Sequence, residues 1–174
     1  DDVIASLERW GQISGVGKSL MAATDELVKV DDHTIEFHLS EPYGTLAIAL
    51  AHNTQACVIY PKSVIEAGGL EPLNEFVGTG PYRLVEWRPD AYIRFERFDD
   101  YAALEGEPNG YGGHKYAFVD QIEFIPVPDE AARVAGLQAG DYQLGMDIGD
   151  DQYDVLNGAP GIIAEILEPT NWDV

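Results

Sequence analysis

The polar run His52-Asn53-Thr54-Gln55 holds the side chains of this sequence that are best suited to binding a small polar ligand. Amide and hydroxyl groups offer both donors and acceptors, so Asn53, Thr54 and Gln55 match the main-chain amides of a peptide or a similar solute. The same residue types also cap helices and close turns. The run therefore predicts either a ligand-contacting loop or a local structural turn, and the sequence leaves both interpretations open.

Two predicted elements flank this run and would position it. A helix is expected from Pro42 through Leu50, since proline suits a first helical position. The apolar run Ala56 to Tyr60 predicts a buried strand after the polar residues, followed by a helix from Pro61 that Gly68-Gly69 ends. Loops at strand ends are where open α/β domains usually bind ligands.

A second candidate for ligand chemistry is the glycine-rich stretch Gly11 to Gly17, which predicts a loop and could pass for a phosphate cradle. It is followed by Lys18-Ser19, but Gln12 stands where a phosphate-binding loop needs its first glycine. The sequence therefore argues against a nucleotide site there.

Metal-binding and catalytic patterns are weak. A hairpin is predicted over residues 26–40. His33 and His38 are five apart on one predicted strand, so they would point to opposite faces and could not both bind one metal ion. The acids within 147–154 lack the alternate spacing and central glycine of an EF-hand loop. No nucleophile elbow or His-Glu-x-x-His motif occurs. These observations favour a protein that is not an enzyme and uses no cofactor.

The charge balance excludes several partners. Asp and Glu number 31 against 10 Lys and Arg, which gives a formal charge of −21. Such a surface repels phosphate backbones and anionic lipid headgroups, so nucleic acid is not an expected partner. The single cysteine, Cys57, cannot form a disulfide within the chain, and its apolar surroundings predict a buried, unreactive thiol.

The most distinctive stretch is residues 77–87, where two glycines and a proline permit a tight turn before an alternating strand. Tyr82, Leu84 and Glu86 would face one way along that strand. The turn signal at 88–90 and a second alternating run at 92–98 complete a predicted hairpin.

Three motifs together resemble one known family. The run 78–87, the acidic and aromatic run 96–101 and the helix-capping run 128–141 resemble signatures of the solute-binding proteins of peptide and nickel ABC importers, known as family 5. The resemblance covers essentially all 174 residues. It implies an α/β fold, with a mixed sheet and flanking helices, of the kind found in a lobe of type II periplasmic-binding proteins.

The resemblance also implies function and organisation. Residues 1–174 are expected to be an internal fragment, a single lobe whose second lobe is missing, with residues 1–26 as a possible remnant of an adjoining subdomain. The parent would capture a peptide or other small molecule between its lobes and deliver it to ABC permease subunits. Its expected location is periplasmic or extracellular, and a membrane anchor at the absent N-terminus of the parent stays open. Trp172 joins Asn53, Thr54 and Gln55 as an expected ligand contact, through stacking or apolar contact at the cleft edge.

The later part of the chain predicts strands over 121–127, 142–147 and 162–167, separated by helices. Such alternation indicates crossover connections and at least partly parallel pairing. The alternative to a transport receptor is a free-standing acidic module that binds a protein partner through the aromatic hairpin.

Overall fold

The computed structural model of the chain describes residues 1–110 and 112–166, and its fold is mixed α/β, as expected. The helices are α1 Asp2–Ile13, α2 Gly15–Ala22, α3 Leu46–Leu50, α4 Lys62–Gly68, α5 Glu130–Ala139 and α6 Tyr153–Asn157, with a 3-10 turn at Asp150–Gln152. The strands are β1 Thr24–Lys29, β2 Ile35–Leu39, β3 Tyr82–Arg88, β4 Tyr92–Arg97, β5 Pro108–Asn109, β6 Gly112–Gly113 and β7 Gln121–Phe124. Within the described ranges, no helix is both long enough and apolar enough to cross a bilayer.

The chain divides into two compact units. The first contains Asp1–Glu86 and Arg94–Ile122, and the second contains Trp87–Ile93 and Glu123–Val174. The prediction that the whole chain belongs to one lobe remains a prediction.

The core of the first unit lies where α1, α2 and α3 meet. Leu7, Trp10, Leu20 and Ala49 form the buried cluster, and the side chains of β1 and β2 that face it are partly buried. Because burial of apolar surface is the main favourable term in folding, this cluster holds the first unit together.

Helices α1 and α2 pack tightly at a corner, and the prediction of a loop over Gly11 to Gly17 is wrong. Ser14 is the N-cap of α2, since its Oγ accepts a hydrogen bond from the Gly17 N–H at 3.2 Å. A Cβ on Gly17 would lie 2.5 Å from the main-chain oxygen of Trp10. Gly17 is needed because the two helix backbones approach each other closely there.

The hairpin predicted over residues 26–40 is confirmed as an antiparallel β1–β2 pair, in which Leu27 lies opposite Phe37. Its turn is closed by Asp31, whose carboxylate accepts hydrogen bonds from the His33 N–H at 2.7 Å and the Thr34 hydroxyl at 3.1 Å. These bonds, led by the one from His33, hold the pKa of Asp31 below its ordinary value.

The second predicted hairpin is confirmed as β3 and β4, and these strands join β7 in a sheet of order β3-β4-β7. Burial alternates along β3 as expected, with Tyr82, Leu84 and Glu86 less exposed than their neighbours. Gly78 and Gly80 are not conformationally required, because neither has a positive φ and an added Cβ would meet open space. Strand β7 ends at Phe124, three residues before the predicted end.

Helix α5 of the second unit follows its predicted capping pattern. The Asp129 carboxylate accepts a hydrogen bond from the Ala132 N–H at 2.8 Å, and Gly140 ends the helix with a left-handed φ of 82°. The predicted strands over 142–147 and 162–167 are wrong for the described residues, which have irregular backbone there. No crossover pairing therefore forms between these segments in the part of the chain that is described.

Candidate functional site

The polar run 52–55 lies in the first unit, but its flanks differ from the prediction. Helix α3 begins at Leu46, four residues later than expected. Residues 56–60 form no strand, and Val58 and Ile59 are exposed. The run is therefore a loop between a short helix and an irregular segment. It does not adjoin a strand end, which is where the sequence predicted it.

His52 closes this loop into a turn. Its Nδ1 accepts a hydrogen bond from the Gln55 N–H at 3.2 Å and lies 3.3 Å from the Thr54 Oγ1. An accepting Nδ1 requires a neutral ring with its proton on Nε2. Sequence reasoning missed His52, although a polar side chain that can bond a main-chain N–H a few residues later is a known turn signal.

Gln55 anchors the loop to the corner between α1 and α2. Its Oε1 accepts hydrogen bonds from the Ser14 hydroxyl at 3.0 Å and the Val16 N–H at 3.1 Å. Its main-chain oxygen accepts a further bond from the Trp10 Nε1–H at 2.7 Å. The loop is thus held to the core at one end.

Of the other three predicted ligand contacts, the structure describes Asn53 and Thr54. Asn53 and Thr54 have exposed side chains at the tip of the loop. Trp172 lies outside the described residues. The structure therefore gives Gln55 a structural role, and ligand contact by the four residues remains a prediction.

Replacing Gln55 by alanine is expected to lower the free energy of unfolding by about 1 kcal/mol, because the Ser14 and Val16 donors lose their acceptor but water can reach them. Asn53→Ala is the matched control, with an expected change within about 0.5 kcal/mol for an exposed side chain. Urea unfolding followed by circular dichroism measures both. Equal effects of the two substitutions would contradict the anchoring role.

Cys57 follows the loop and packs against the core cluster of the first unit. Partial burial raises the pKa of its thiol above the ordinary value. The thiol is therefore protonated at neutral pH and is a weak nucleophile. Among the described residues, no three His, Cys, Asp or Glu side chains are grouped so that they could hold a metal ion.

A groove of about 1020 Å³ lies within the second unit. Its walls come from α5, α6 and the two irregular segments 142–149 and 161–166. Asp147 in its wall has a left-handed φ of 54°, and its main-chain oxygen accepts a hydrogen bond from the Arg133 Nη2 at 2.7 Å. The Nη1 of Arg133 donates to the Val127 oxygen at 2.7 Å. Arg133 thereby ties segment 142–149 to the chain that precedes α5.

The model of the bacterial extracellular solute-binding proteins, family 5 middle region, matches residues 1–172. The chain belongs to family 5 of these solute-binding proteins. The predicted resemblance, which depended on motifs at 78–87, 96–101 and 128–141, is confirmed.

Relatives in family 5 extend beyond the present chain. The chain is 27% identical over 180 residues to a probable peptide ABC transporter periplasmic-binding protein of Sinorhizobium fredii, covering 99% of this chain and 33% of that protein. It is 30% identical over 160 residues to the dipeptide-binding protein of Escherichia coli, covering 83% of this chain and 28% of that protein. The chain thus spans a third or less of the length of these two curated relatives.

Solved structures of periplasmic binding proteins share the fold. The PBP AgaA from A. tumefaciens R10, in complex with agropinic acid, matches 91% of this chain and 30% of its own, with a TM-score of 0.70 and 24% identity. The periplasmic binding protein DppA from Helicobacter pylori, in complex with peptide STSA, matches with a TM-score of 0.68 and 21% identity, covering 91% of this chain and 32% of its own. The expected likeness to type II periplasmic-binding proteins is therefore confirmed at the level of the fold.

Proposed function

We propose that this chain is part of the substrate-binding component of an ABC importer. The parent protein would capture a peptide or similar small solute in a cleft between two lobes and pass it to permease subunits in the membrane. The observation that carries this proposal is the family 5 match over residues 1–172, together with relatives whose names specify peptide binding. The chain itself would do no chemistry, and the parent would act in the periplasm or outside the cell.

The exposed tip of the 52–55 loop is the part of the first unit that we assign to ligand contact. Asn53 and Thr54 present amide and hydroxyl groups to solvent, and Gln55 holds them close to a rigid corner. A loop anchored in this way loses little conformational entropy when a ligand binds. Trp172 is the proposed apolar contact.

Peptide binding is expected to require the intact parent. Titration calorimetry of the parent with a set of dipeptides and tetrapeptides should detect binding of at least one of them. The 174-residue chain should bind that peptide at least about 100-fold more weakly, because loss of roughly half the contacts removes several kcal/mol of favourable interaction.

Two controls make this titration decisive. Asn53→Ala and Thr54→Ala in the parent should weaken binding, whereas Asn74→Ala, a change of the same type elsewhere in the first unit, should not. Failure of the parent to bind any peptide in the set would contradict a peptide receptor. Tight peptide binding by the 174-residue chain alone would contradict the two-lobe cleft.

A further inference from the structure

Two asparagines of this chain are each followed by a glycine, the neighbour that most favours deamidation of an asparagine side chain. The pairs are Asn109 with Gly110 and Asn157 with Gly158. Glycine has no Cβ to shield its main-chain nitrogen, so this nitrogen can approach the side-chain amide of the preceding asparagine. A reaction between neighbouring residues also needs no encounter between two molecules. The side chains of both asparagines are exposed to water, so the backbone decides which pair reacts.

The backbone holds the second pair in a helix. Asn157 is the last residue of α6, and the Gly158 N–H donates a hydrogen bond to the Asp154 oxygen at 3.3 Å. The same helix is fixed to its unit by Leu156, which is 5% exposed. Attack by the Gly158 nitrogen would require this hydrogen bond to break and the Asn157 backbone to leave its helical conformation. Helix α6 therefore protects Asn157.

The first pair has no comparable restraint. Asn109 ends strand β5, which in the described part of the chain pairs with β6 alone, over two residues of each strand. A two-stranded pair of this length is marginally stable in water, so it opens readily. Among the described residues, no main-chain oxygen accepts a hydrogen bond from the Gly110 N–H. The nitrogen that would attack Asn109 is therefore available.

Lys115 places a positive charge at the same turn. Its Nζ donates hydrogen bonds to the Gly110 oxygen at 2.7 Å and to the Gly112 oxygen at 3.0 Å. Both contacts are to carbonyl groups and leave the Gly110 N–H available. A nearby positive charge stabilises the negative form of a group, so the ammonium favours loss of the proton from the attacking nitrogen. Lys and Arg number only 10 in 174 residues, so few sites in this chain have such a neighbour.

We propose that Asn109 is a site of spontaneous covalent modification, because the fold leaves it reactive while it protects Asn157. The deprotonated Gly110 nitrogen forms a bond to Asn109 Cγ, and the Cγ–Nδ2 bond breaks. Nδ2 leaves as ammonia and takes up the proton that Gly110 lost. Water then opens the cyclic imide: opening at Cγ gives aspartate, and opening at the main-chain carbonyl gives isoaspartate. The only co-reactant is water.

The modification would change the β5–β6 pair. Either product adds a carboxylate at the turn that Lys115 contacts. Isoaspartate also lengthens the main chain by one methylene, which disrupts the pairing of Asn109 with Gly112. The inference goes beyond the proposed function and is independent of it, because it requires neither a ligand nor a second lobe.

Peptide mapping by mass spectrometry tests the proposal on the intact parent, incubated at mildly alkaline pH and sampled over time. Modification at Asn109 should proceed at least about 10-fold faster than at Asn157, since opening of the β5–β6 pair costs less than opening of α6. Asn53 and Asn74 are followed by Thr54 and Glu75, and they serve as slow references in the same sample. Chromatography separates the aspartate and isoaspartate products.

The same measurement in concentrated urea separates the effect of the fold from that of the sequence. Unfolding removes both α6 and the β5–β6 pair, so the two Asn-Gly pairs should then react within about 3-fold of each other. Asn109→Gln keeps a side-chain amide but places it one carbon further from the main chain. This variant should lose the early product, whereas Asn157 should react at its original rate.

Four outcomes would overturn the proposal. Equal rates at the two pairs in the folded parent would show that α6 gives no protection, and faster reaction at Asn157 would reverse the assignment. A folded parent that stays unmodified at Asn109, over a time in which the unfolded chain reacts, would show that the β5–β6 pair is protective. A preference for Asn109 that persists unchanged in urea would assign the selectivity to neighbouring residues and not to the fold.

Discussion

Replacing Trp10 by alanine is expected to lower the free energy of unfolding by about 4 kcal/mol, the largest effect of any single truncation in the first unit. The Trp10 side chain is 4% exposed and lies in the core cluster with Leu7 and Leu20. Its Nε1–H also donates the 2.7 Å hydrogen bond to the Gln55 oxygen. Alanine would leave a cavity and an unpaired carbonyl, and both changes destabilise the folded state.

Two variants separate these contributions. Trp10→Phe keeps most of the buried ring and removes the hydrogen bond, so its expected cost is about 1–2 kcal/mol. Trp87→Ala removes a side chain that is 52% exposed, and it should cost less than half as much as Trp10→Ala. Urea unfolding followed by circular dichroism at 222 nm avoids dependence on tryptophan emission. A loss below about 1 kcal/mol for Trp10→Ala would show that the core lies elsewhere.

Replacing Gly17 by alanine is expected to destabilise the chain by about 2 kcal/mol, although two effects oppose each other. Alanine is favoured over glycine within a helix by about 1 kcal/mol. The new Cβ, however, would lie 2.5 Å from the Trp10 main-chain oxygen, and backbone cannot move aside as a flexible side chain can. Overpacking of this kind costs about 1–3 kcal/mol, and the loss of close helix contact adds to it.

Gly44→Ala is the matched control, because an added Cβ there meets nothing within 4 Å and the residue does not have a left-handed φ. That variant should be neutral or slightly stabilising. Thermal unfolding of the two variants beside the original chain measures the difference. If Gly17→Ala were as stable as Gly44→Ala, the close approach of α1 and α2 would be contradicted.

The family and the local elements were accessible from the sequence because their signals are local. The Asp129 cap and the Gly140 terminator of α5 act within one helical turn, and both are confirmed. The two hairpins likewise depend on alternation and on turn residues close in sequence. The family motifs at 78–87 and 128–141 are short runs that need no tertiary information.

Sequence reasoning reaches its limit where distant parts of the chain decide the outcome. The stretch Gly11 to Gly17 is predicted as a loop, but Gly17 lies in a helix and its role depends on a contact with Trp10 in another helix. For Gln55 the sequence leaves ligand contact and a local turn both open, and the hydrogen bonds that its side chain accepts come from Ser14 and Val16, about 40 residues earlier. Neither partner can be identified from spacing alone.

The sequence by itself determined the family, the mixed α/β class and the hairpins and capped helix, since each depends on neighbouring residues. Only the tertiary structure decided which glycine allows two helices to approach closely, how the 52–55 loop is anchored and whether segments 142–147 and 162–166 form strands. The physical reason is that an alternating pattern makes a segment suitable for a strand, but the strand forms only when its main chain is hydrogen-bonded to a neighbouring strand.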